Sequence, residues 1–409
     1  MHEILKDLLN RNSTKLVMCV LDGLGGLPLH GRTELEAANT PNLDRLARKG
    51  ATGLHIPVAP GITPGSGAAH LGLFGYDPLR YTIGRGVLEA LGLGIELTKR
   101  DVAVRGNYAT VRYENGTPIL VDRRAGRIAT PENRRITSRI GDAIKEIDGV
   151  VVKITPGMEH RFALVLTFPE PLPVGSDEVK DTDPQAVGVP PLPPLPKATH
   201  AGAAMVARVL EQFIGAAARI LREEDRANYL LLRGVSIYPD LPGFEEVYGL
   251  NPAAIASYPM YRGVAKLVGM NPLSVEDTSI EGEIVALEKE FQNYDFFFLH
   301  VKKTDSYGED GNFDAKVGVI EEFDSLIPRI LELDPDVLVV TGDHSTPSVM
   351  KSHSWHPVPI LLSSKLVRGG FSNGFSESEC LRGELGMLRA IDIMPLMLAH
   401  SGRLQKFGA

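Results

Sequence analysis

Three acidic positions and one histidine pair flank short apolar runs in this chain. Asp22 follows Leu16–Leu21 (LVMCVL), Asp305 comes shortly after the run ending at Val301, and Asp343-His344 comes just after Val337–Thr341 (VLVVT). His353 and His356 lie just before Val358–Leu362 (VPILL). Four of the 11 histidines (His300, His344, His353, His356) fall in one 57-residue stretch that is also rich in carboxylates. A buried carboxylate is costly unless it is paired or bound to a metal. Carboxylate oxygens combined with imidazole suit Mn, Zn, Co or Fe, and Mg is compatible. Each feature has an ordinary reading by itself. Asp22-Gly23 reads as a turn, Asp343-His344 as a helix cap with a surface histidine, and His353/His356 as a loop pair. Their joint occurrence points to a cation site.

The candidate nucleophile is Ser66, in Pro64-Gly65-Ser66-Gly67-Ala68-Ala69-His70-Leu71. Glycines on both sides permit a tight turn and close backbone approach. A short helix is predicted to begin at once, leaving free N–H groups and a positive helix end suited to phosphate. Serine is a poor nucleophile at neutral pH, and coordination to a divalent metal activates it. Gly-Ser-Gly alone is a weak signal, equally readable as a capped loop. It is neither a Walker A loop nor a Gly-x-Ser-x-Gly elbow.

These groups need elements to position them. Leu16–Leu21, Tyr294–Val301, Val337–Thr341 and Val358–Leu362 are continuous apolar runs rich in β-branched and aromatic residues, as in a parallel sheet covered on both faces. Thr40–Gly50 carries helix signals: Thr40 as cap, Pro41 in the first turn, basic residues at the end and Gly50 beyond it. Phe313, Val317, Ile320, Phe323 and Ile327 share one helical face. Strands alternating with helices predict an α/β fold, in which ligands bind at the carboxyl ends of the strands.

The middle of the chain differs. Residues 100–161 hold twelve Lys/Arg against eight Asp/Glu, so this part is +4 while the remainder is −12. Residues 169–196 hold nine of the 29 prolines, which precludes regular helix. They read as a stiff internal loop rather than a ligand for an SH3-like partner. We expect a second domain inserted into the α/β one, with connections near residues 78–90 and 235–245.

The 409 residues predict two or three domains at about 150 residues each. The net charge of −8 argues against bulk nucleic-acid binding. Cys19 and Cys380 cannot build a disulfide framework, so a reducing, cytoplasmic compartment is the expectation. No apolar run approaches the roughly 18 residues of a membrane span, and the charged N-terminal stretch does not read as a secretory signal.

With these residues in view, the chain resembles the archaeal-type 2,3-bisphosphoglycerate-independent phosphoglycerate mutases of the alkaline phosphatase superfamily. The resemblance runs essentially end to end. It rests on VLDGLGG (20–26), TELEAANTPNLDRLARKGATG (33–53), PGSGAAHLGLFGYDP (64–78), DRRAGRI (122–128), YPMYRG (258–263), HVKKTDSYGEDG (300–311), TGDHSTP (341–347) and HSWHPVP (353–359). TPNLDRLA and GDHS indicate only the superfamily; GYDP, DRRAGR and YPMYRG narrow it.

The resemblance implies an alkaline-phosphatase-like, mostly parallel sheet with helices on both faces. The metal-binding domain would comprise residues 1–80 and 243–409, and a smaller α+β substrate-binding or lid domain residues 81–242. It further implies two divalent ions, Mn²⁺ first, with Mg²⁺, Co²⁺ or Zn²⁺ as alternatives, and no 2,3-bisphosphoglycerate. One ion would be held by Asp22, Asp343, His344 and the Ser66 hydroxyl, the other by Asp305, His353 and Glu309. Glu309 stands where the family pattern has histidine; it is a harder ligand, and His356 and Asp310 are alternatives. Ser66 would carry the phosphoryl group between the 3- and 2-positions of glycerate, in glycolysis and gluconeogenesis. Carboxylate and phosphate are best gripped by bidentate arginines. Arg123, Arg124, Arg127, Arg161, Arg233 and Arg262 are the candidates, with Lys302 or Lys303 beside them. Arg134, Arg135 and Arg139, at helical spacing, read as solvated surface charges. Asp181-Thr182-Asp183-Pro184 either lines the substrate cleft or punctuates a loop. The expected partner is a small-molecule substrate, with neither nucleic acid nor membrane, and a homo-oligomer is compatible. The competing readings are a metal-dependent phosphatase or another phosphomutase of the same superfamily, and a non-catalytic metal- or phosphate-binding protein.

Overall fold

Apolar runs with no polar alternation must be buried on both sides, and they form the centre of the main sheet. The computed structural model describes residues 2–197 and 199–408. In chain order its strands are β1 (Leu16–Leu21), β2 (Ala51–Ile56), β3 (Asp101–Glu114), β4 (Thr117–Asp122), β5 (Glu146–Ile147), β6 (Val150–Pro156), β7 (Arg161–Thr167), β8 (Tyr229–Ile237), β9 (Pro252–Ala256), β10 (Asn271–Pro272), β11 (Phe296–Val301), β12 (Val337–Thr341), β13 (Val358–Ser364) and β14 (Gly386–Arg389). The chain divides into two compact units, Met1–Thr82 with Leu241–Ala409, and Ile83–Asp240.

The first unit is built on an eight-stranded sheet in the order β10-β9-β11-β1-β12-β13-β2-β14. Only β13 runs against the others, pairing antiparallel with both β12 and β2. One face buries Val17, Cys19, Leu21, Phe297, Leu299, Leu338 and Val340 in a core shared with the helices Pro41–Lys49, Ile280–Glu290 and Phe313–Glu332. On the other face Phe298 packs edge-on against Phe74 and His70, and His300 stacks on Tyr261. Those partners come from the helix Ser66–Leu73 and its C-cap Phe74, and from the helix Pro259–Leu267.

The helix Pro41–Lys49 starts and ends where expected, with Thr40 and Gly50 at its cap positions, but its capping bond differs. The Thr40 side chain makes no cap bond. The free N–H groups of Asn42 and Leu43 instead donate to Asp324 Oδ1, at 3.1 and 2.7 Å. A carboxylate from a distant helix does the capping, and it also suits the positive end of the helix. The expected strand from Tyr294 begins two residues later, at Phe296.

The second unit is an antiparallel sheet, β4-β3-β7-β6-β5, with β8 on the other edge of β3. The helices Thr130–Ala143 and Ala201–Leu221 cover it, burying Ile136, Ile140, Val206, Leu210 and Phe213. The proline-rich stretch contributes only the isolated bridge Val179↔Pro196 among its described residues. No helix among the described residues is long and apolar enough to cross a membrane.

Candidate active site

Sheet topology explains why distant acids meet. β11, β1 and β12 are adjacent and parallel, so their carboxyl ends deliver Asp305, Asp22 and Asp343-His344 to one edge. β13 runs the opposite way, so the segment before it, with His353, arrives at that same edge. β2 runs parallel to the rest, and its carboxyl end leads through residues 57–65 to Ser66. Ser66 is the first residue of its helix, and Gly65 occupies the cap position.

Two groups of ligand-type atoms form, each lying within 4.8 Å of one another: Asp22, Asp343 and His344, and Asp305, His344 and His353. His344 belongs to both, although the resemblance assigned it to one. The rings of His344 and His353 stack with centroids 3.7 Å apart. Glu309 joins neither group. Its carboxylate lies 3.8 Å from His353 Nε2, and 55% of its side chain is exposed. Among the alternatives, His356 Nδ1 is 3.1 Å from Ser354 Oγ.

Asp343 Oδ1 accepts from the N–H groups of Gly23 and His344, at 3.0 and 2.9 Å. Lys302 Nζ bridges two acids, donating to Asp22 Oδ2 at 3.0 Å and Asp305 Oδ2 at 2.6 Å. The His353 Nδ1–H donates to the Pro64 carbonyl at 3.0 Å, which turns Nε2 toward Asp305. His70 Nδ1 lies 2.8 Å from the Ser66 carbonyl and 3.2 Å from Asp343 Oδ2, tying the helix start to that carboxylate. The Tyr261 hydroxyl contacts the side chains of Ser66 and Asp22 and lies 3.2 Å from Lys302 Nζ.

Burial opposes ionisation of Asp22, but His300, Lys302 and His344 outweigh it and hold the carboxyl well below its usual range. Asp305, also opposed by burial, is brought down to about 2 by His353 and Lys302. Burial lowers His344 and His300, keeping both imidazoles neutral. Burial also opposes charging of His353, but Asp305 and the Pro64 carbonyl raise it to about 9. Asp22 Oδ1, Asp343 Oδ2 and His344 Nε2 are buried with no hydrogen-bond partner. Three buried acceptor atoms that converge without hydrogen-bond partners carry a large desolvation cost. A divalent cation would relieve it, and the mix of carboxylate and imidazole donors fits one.

The second unit gathers the arginines. Arg123, Arg124, Arg127, Arg161 and Arg233 line a cavity of about 160 Å³ with Arg105, Asn107 and His160. Asp183 anchors two of them. Arg123 Nε and Nη2 donate to its two oxygens at 2.7 and 2.8 Å, and Arg233 Nη1 lies 3.5 Å away. Asp181 Oδ1 accepts from the Gly234 N–H at 2.8 Å. The segment 181–184 therefore aims arginines. Asp122 folds the DRRAGR turn by accepting from the N–H groups of Arg124 and Gly126. Ala125, Gly126 and Arg127 all have positive φ (47, 61 and 51°), a strained run of the kind found where side chains must be aimed. Arg262 belongs to the first unit, one residue past Tyr261. Arg134 is exposed, while Arg135 and Arg139 pair with Glu224.

Sequence reasoning counted His300 in the histidine-rich stretch without giving it a role, and it did not single out Thr346, Tyr261 or His70 as site residues, nor Arg105, Asn107 and His160. A signal existed for Tyr261, inside YPMYRG, and for Arg105, a charge directly after the apolar run Val102–Val104 of β3.

Fold and sites together define an α/β enzyme whose acid-and-histidine centre sits at the carboxyl edge of a mostly parallel sheet, with an α+β unit that carries an arginine cluster inserted in its sequence. The family model for 2,3-bisphosphoglycerate-independent phosphoglycerate mutase matches residues 47–226. The chain is 59% identical over 408 residues to the probable 2,3-bisphosphoglycerate-independent phosphoglycerate mutase of Aquifex aeolicus, covering 100% of both chains. It is 51% identical over 410 residues to the protein of the same description from a strain of Thermus thermophilus, covering 99% of each. Among solved structures, the cofactor-independent phosphoglycerate mutase of Thermoplasma acidophilum matches with a TM-score of 0.76 at 30% identity, over 95% of this chain and 100% of that one. A Pyrococcus horikoshii protein matches with a TM-score of 0.78 at 32% identity, over 98% and 100%. The chain belongs to the family of 2,3-bisphosphoglycerate-independent phosphoglycerate mutases.

Proposed function

We propose that the chain interconverts 3- and 2-phosphoglycerate through a phosphoserine at Ser66, using two divalent ions and no 2,3-bisphosphoglycerate. The observation that carries this reading is the convergence of bare Asp22 Oδ1, Asp343 Oδ2 and His344 Nε2 in the cluster next to Ser66. Asp22, Asp343, His344 and Ser66 would hold one ion. Asp305 and His353 would hold the other, with Glu309 beside them. Bound divalent ions would lower the pKa of the Ser66 hydroxyl and offset charge on the phosphoryl oxygens.

The chain's own groups do the rest. Ser66 Oγ forms the new O–P bond as the bond from phosphorus to the glycerate 3-oxygen breaks. The Ser66 proton goes to the departing glycerate oxygen. The glycerate 2-hydroxyl then takes the phosphoryl group back, and the proton returns to Ser66. Burial, with Asp22 and Asp343 nearby, keeps the Tyr261 phenol protonated, and its hydroxyl links Asp22 to Ser66. Arg123, Arg124, Arg127, Arg161, Arg233 and Arg262 supply bidentate grips for a substrate bearing carboxylate and phosphate. Glycerate that stays gripped is rephosphorylated; glycerate that escapes leaves phosphoserine to hydrolysis. This chemistry belongs to glycolysis and gluconeogenesis, in the cytoplasm.

The test is a coupled assay of 3- to 2-phosphoglycerate conversion with Mn²⁺ or Mg²⁺, free phosphate being measured in parallel. Conversion without added 2,3-bisphosphoglycerate, lost on chelation and restored by metal, is expected. Release of mostly free phosphate would make the protein a phosphatase, and full activity of the chelated protein would exclude the two-metal reading.

A further inference from the structure

Thr346 is wholly buried and lies between the two groups of candidate ligands. Its Oγ1 is 2.7 Å from Asp305 Oδ1 and 2.9 Å from His344 Nδ1. A hydroxyl has one hydrogen to give, and an ionised carboxylate only accepts. The hydrogen therefore goes to Asp305, and the remaining contact requires His344 Nδ1 to be the donor. That protonates Nδ1 and leaves Nε2 with a free lone pair, 3.2 Å from Asp343 Oδ2 and 3.4 Å from Asp22 Oδ1.

The backbone is shaped around this hydroxyl. A Cβ on Gly23 would come within 2.5 Å of Thr346 Oγ1 and 3.0 Å of Asp305 Oδ1. Gly23 also has a φ of +65°, so the turn after Asp22 needs glycine for two independent reasons. A Cβ on Gly308 would lie 2.3 Å from the Thr346 carbonyl. The Thr346 N–H lies 3.0 Å from the Gly25 carbonyl. Buried Lys316 Nζ donates to the carbonyls of Thr346, Gly23 and Gly25 at 2.9, 2.9 and 3.2 Å. Thr346 is thus held from both sides, and its hydroxyl cannot easily turn elsewhere.

We infer that Thr346 is a positioning residue that couples the two metal sites, setting the tautomer of His344 and the orientation of Asp305 through one hydroxyl. The inference rests on the two-metal reading above. Groups that orient metal ligands in this way typically change metal affinity by about 10–100-fold when removed. Because one hydroxyl serves both groups, its loss acts on both ions.

The experiment uses the full chain, freed of metal and titrated with Mn²⁺, free ion being followed by electron paramagnetic resonance. Thr346→Val, which keeps the shape and removes the hydroxyl, is expected to weaken both sites by about 10-fold or more, and Thr346→Ser to bind as wild type. A Thr346→Val protein that binds both ions normally, or loses only one, overturns the inference. A second measurement does not depend on any variant folding. ¹⁵N NMR of histidine-labelled wild type without metal should find neutral His344 protonated at Nδ1; protonation at Nε2 overturns the inference. A wild type that takes up no ion removes the two-metal reading alone, and the tautomer then decides the role of Thr346 by itself.

Discussion

In the first unit Asp22, Asp343 and His344 are fully buried, and their polar atoms face one another, Lys302, His70, His300, Thr346 or backbone N–H groups. In the second unit Arg123 and Arg233 keep 26% and 23% of their side chains exposed and lean on one buried carboxylate, Asp183. The contrast is one of solvent. Removing one member of a buried ionic cluster leaves the others uncompensated, at a cost of several kcal/mol. A partly exposed arginine that loses its partner is rehydrated and screened, and the cost is small. Substitutions in the first unit should therefore abolish several properties at once, and those in the second should grade a single one.

The largest effect is expected for Asp343→Asn. It removes a charge whose Oδ1 organises two backbone N–H groups and whose Oδ2 faces His70 and His344. Turnover and tight metal uptake should both disappear, as read by the coupled assay and a Mn²⁺ titration. Ser66→Ala should separate the two properties. Activity is expected to fall by about 10⁴-fold or more, on the scale of losing a covalent nucleophile, with metal uptake largely intact. Normal mutase activity in that variant would sink the phosphoserine scheme.

The second unit supplies the next size of effect. Arg123→Ala should lower kcat/KM by about 10–100-fold, the worth of a charged hydrogen-bonding grip, with metal affinity unchanged. Asp183→Asn should do the same more weakly, because it only frees Arg123 and Arg233. If either variant impaired metal uptake as Asp343→Asn does, the division of labour between the two units would fail.

A pH-dependent effect belongs to the first unit. Burial raises Glu283 from 4.5 to about 8, although its carboxylate accepts from the Ser257 hydroxyl and N–H. The folded chain therefore holds this proton where the unfolded chain releases it. The stability contribution is fully present below pH 4.5 and is lost as pH rises toward 8. Glu283→Gln should flatten that decline by about 2–4 kcal/mol, read as denaturant midpoints at pH 5 and pH 8. An unchanged slope would show that Glu283 is not buried as a neutral acid. Glu309→Ala should have the smallest effect, since that side chain is more than half exposed. It should keep two ions and weaken one by less than about 10-fold; loss of an ion would make Glu309 a full ligand.

Much of the first unit was legible because its signals are local. LVMCVL and VLVVT are strands to the residue, and each is followed by its acid at the edge that a parallel sheet reserves for ligands. The helix carrying Phe313, Val317, Ile320, Phe323 and Ile327 followed from spacing alone, although Phe313 and Val317 are only half-buried and Val319 and Ile330 complete the buried face. What escaped depends on partners far away in the chain. Thr40 has the right chemistry for a cap, yet Asp324 does the capping. Asp183 could equally line the cleft or punctuate a loop until Arg123 closed on it from 60 residues away. Lys302, read beside the arginines as a substrate contact, bridges Asp22 and Asp305.

The sequence by itself determined which residue types stand at strand ends, where the basic and proline-rich stretches lie, and the family to which these motifs belong. The first two are properties of composition, periodicity and order along the chain, and the family follows from the resemblance of its motifs. Only the tertiary structure decided which atoms meet. It brought His344 within reach of both ligand groups, left three buried acceptors bare, and set one threonine hydroxyl between Asp305 and His344. Hydrogen bonds and metal coordination are decided over tenths of an ångström, and side chains 41 residues or more apart in sequence reach that accuracy only when the packed sheet edge holds their backbones in place.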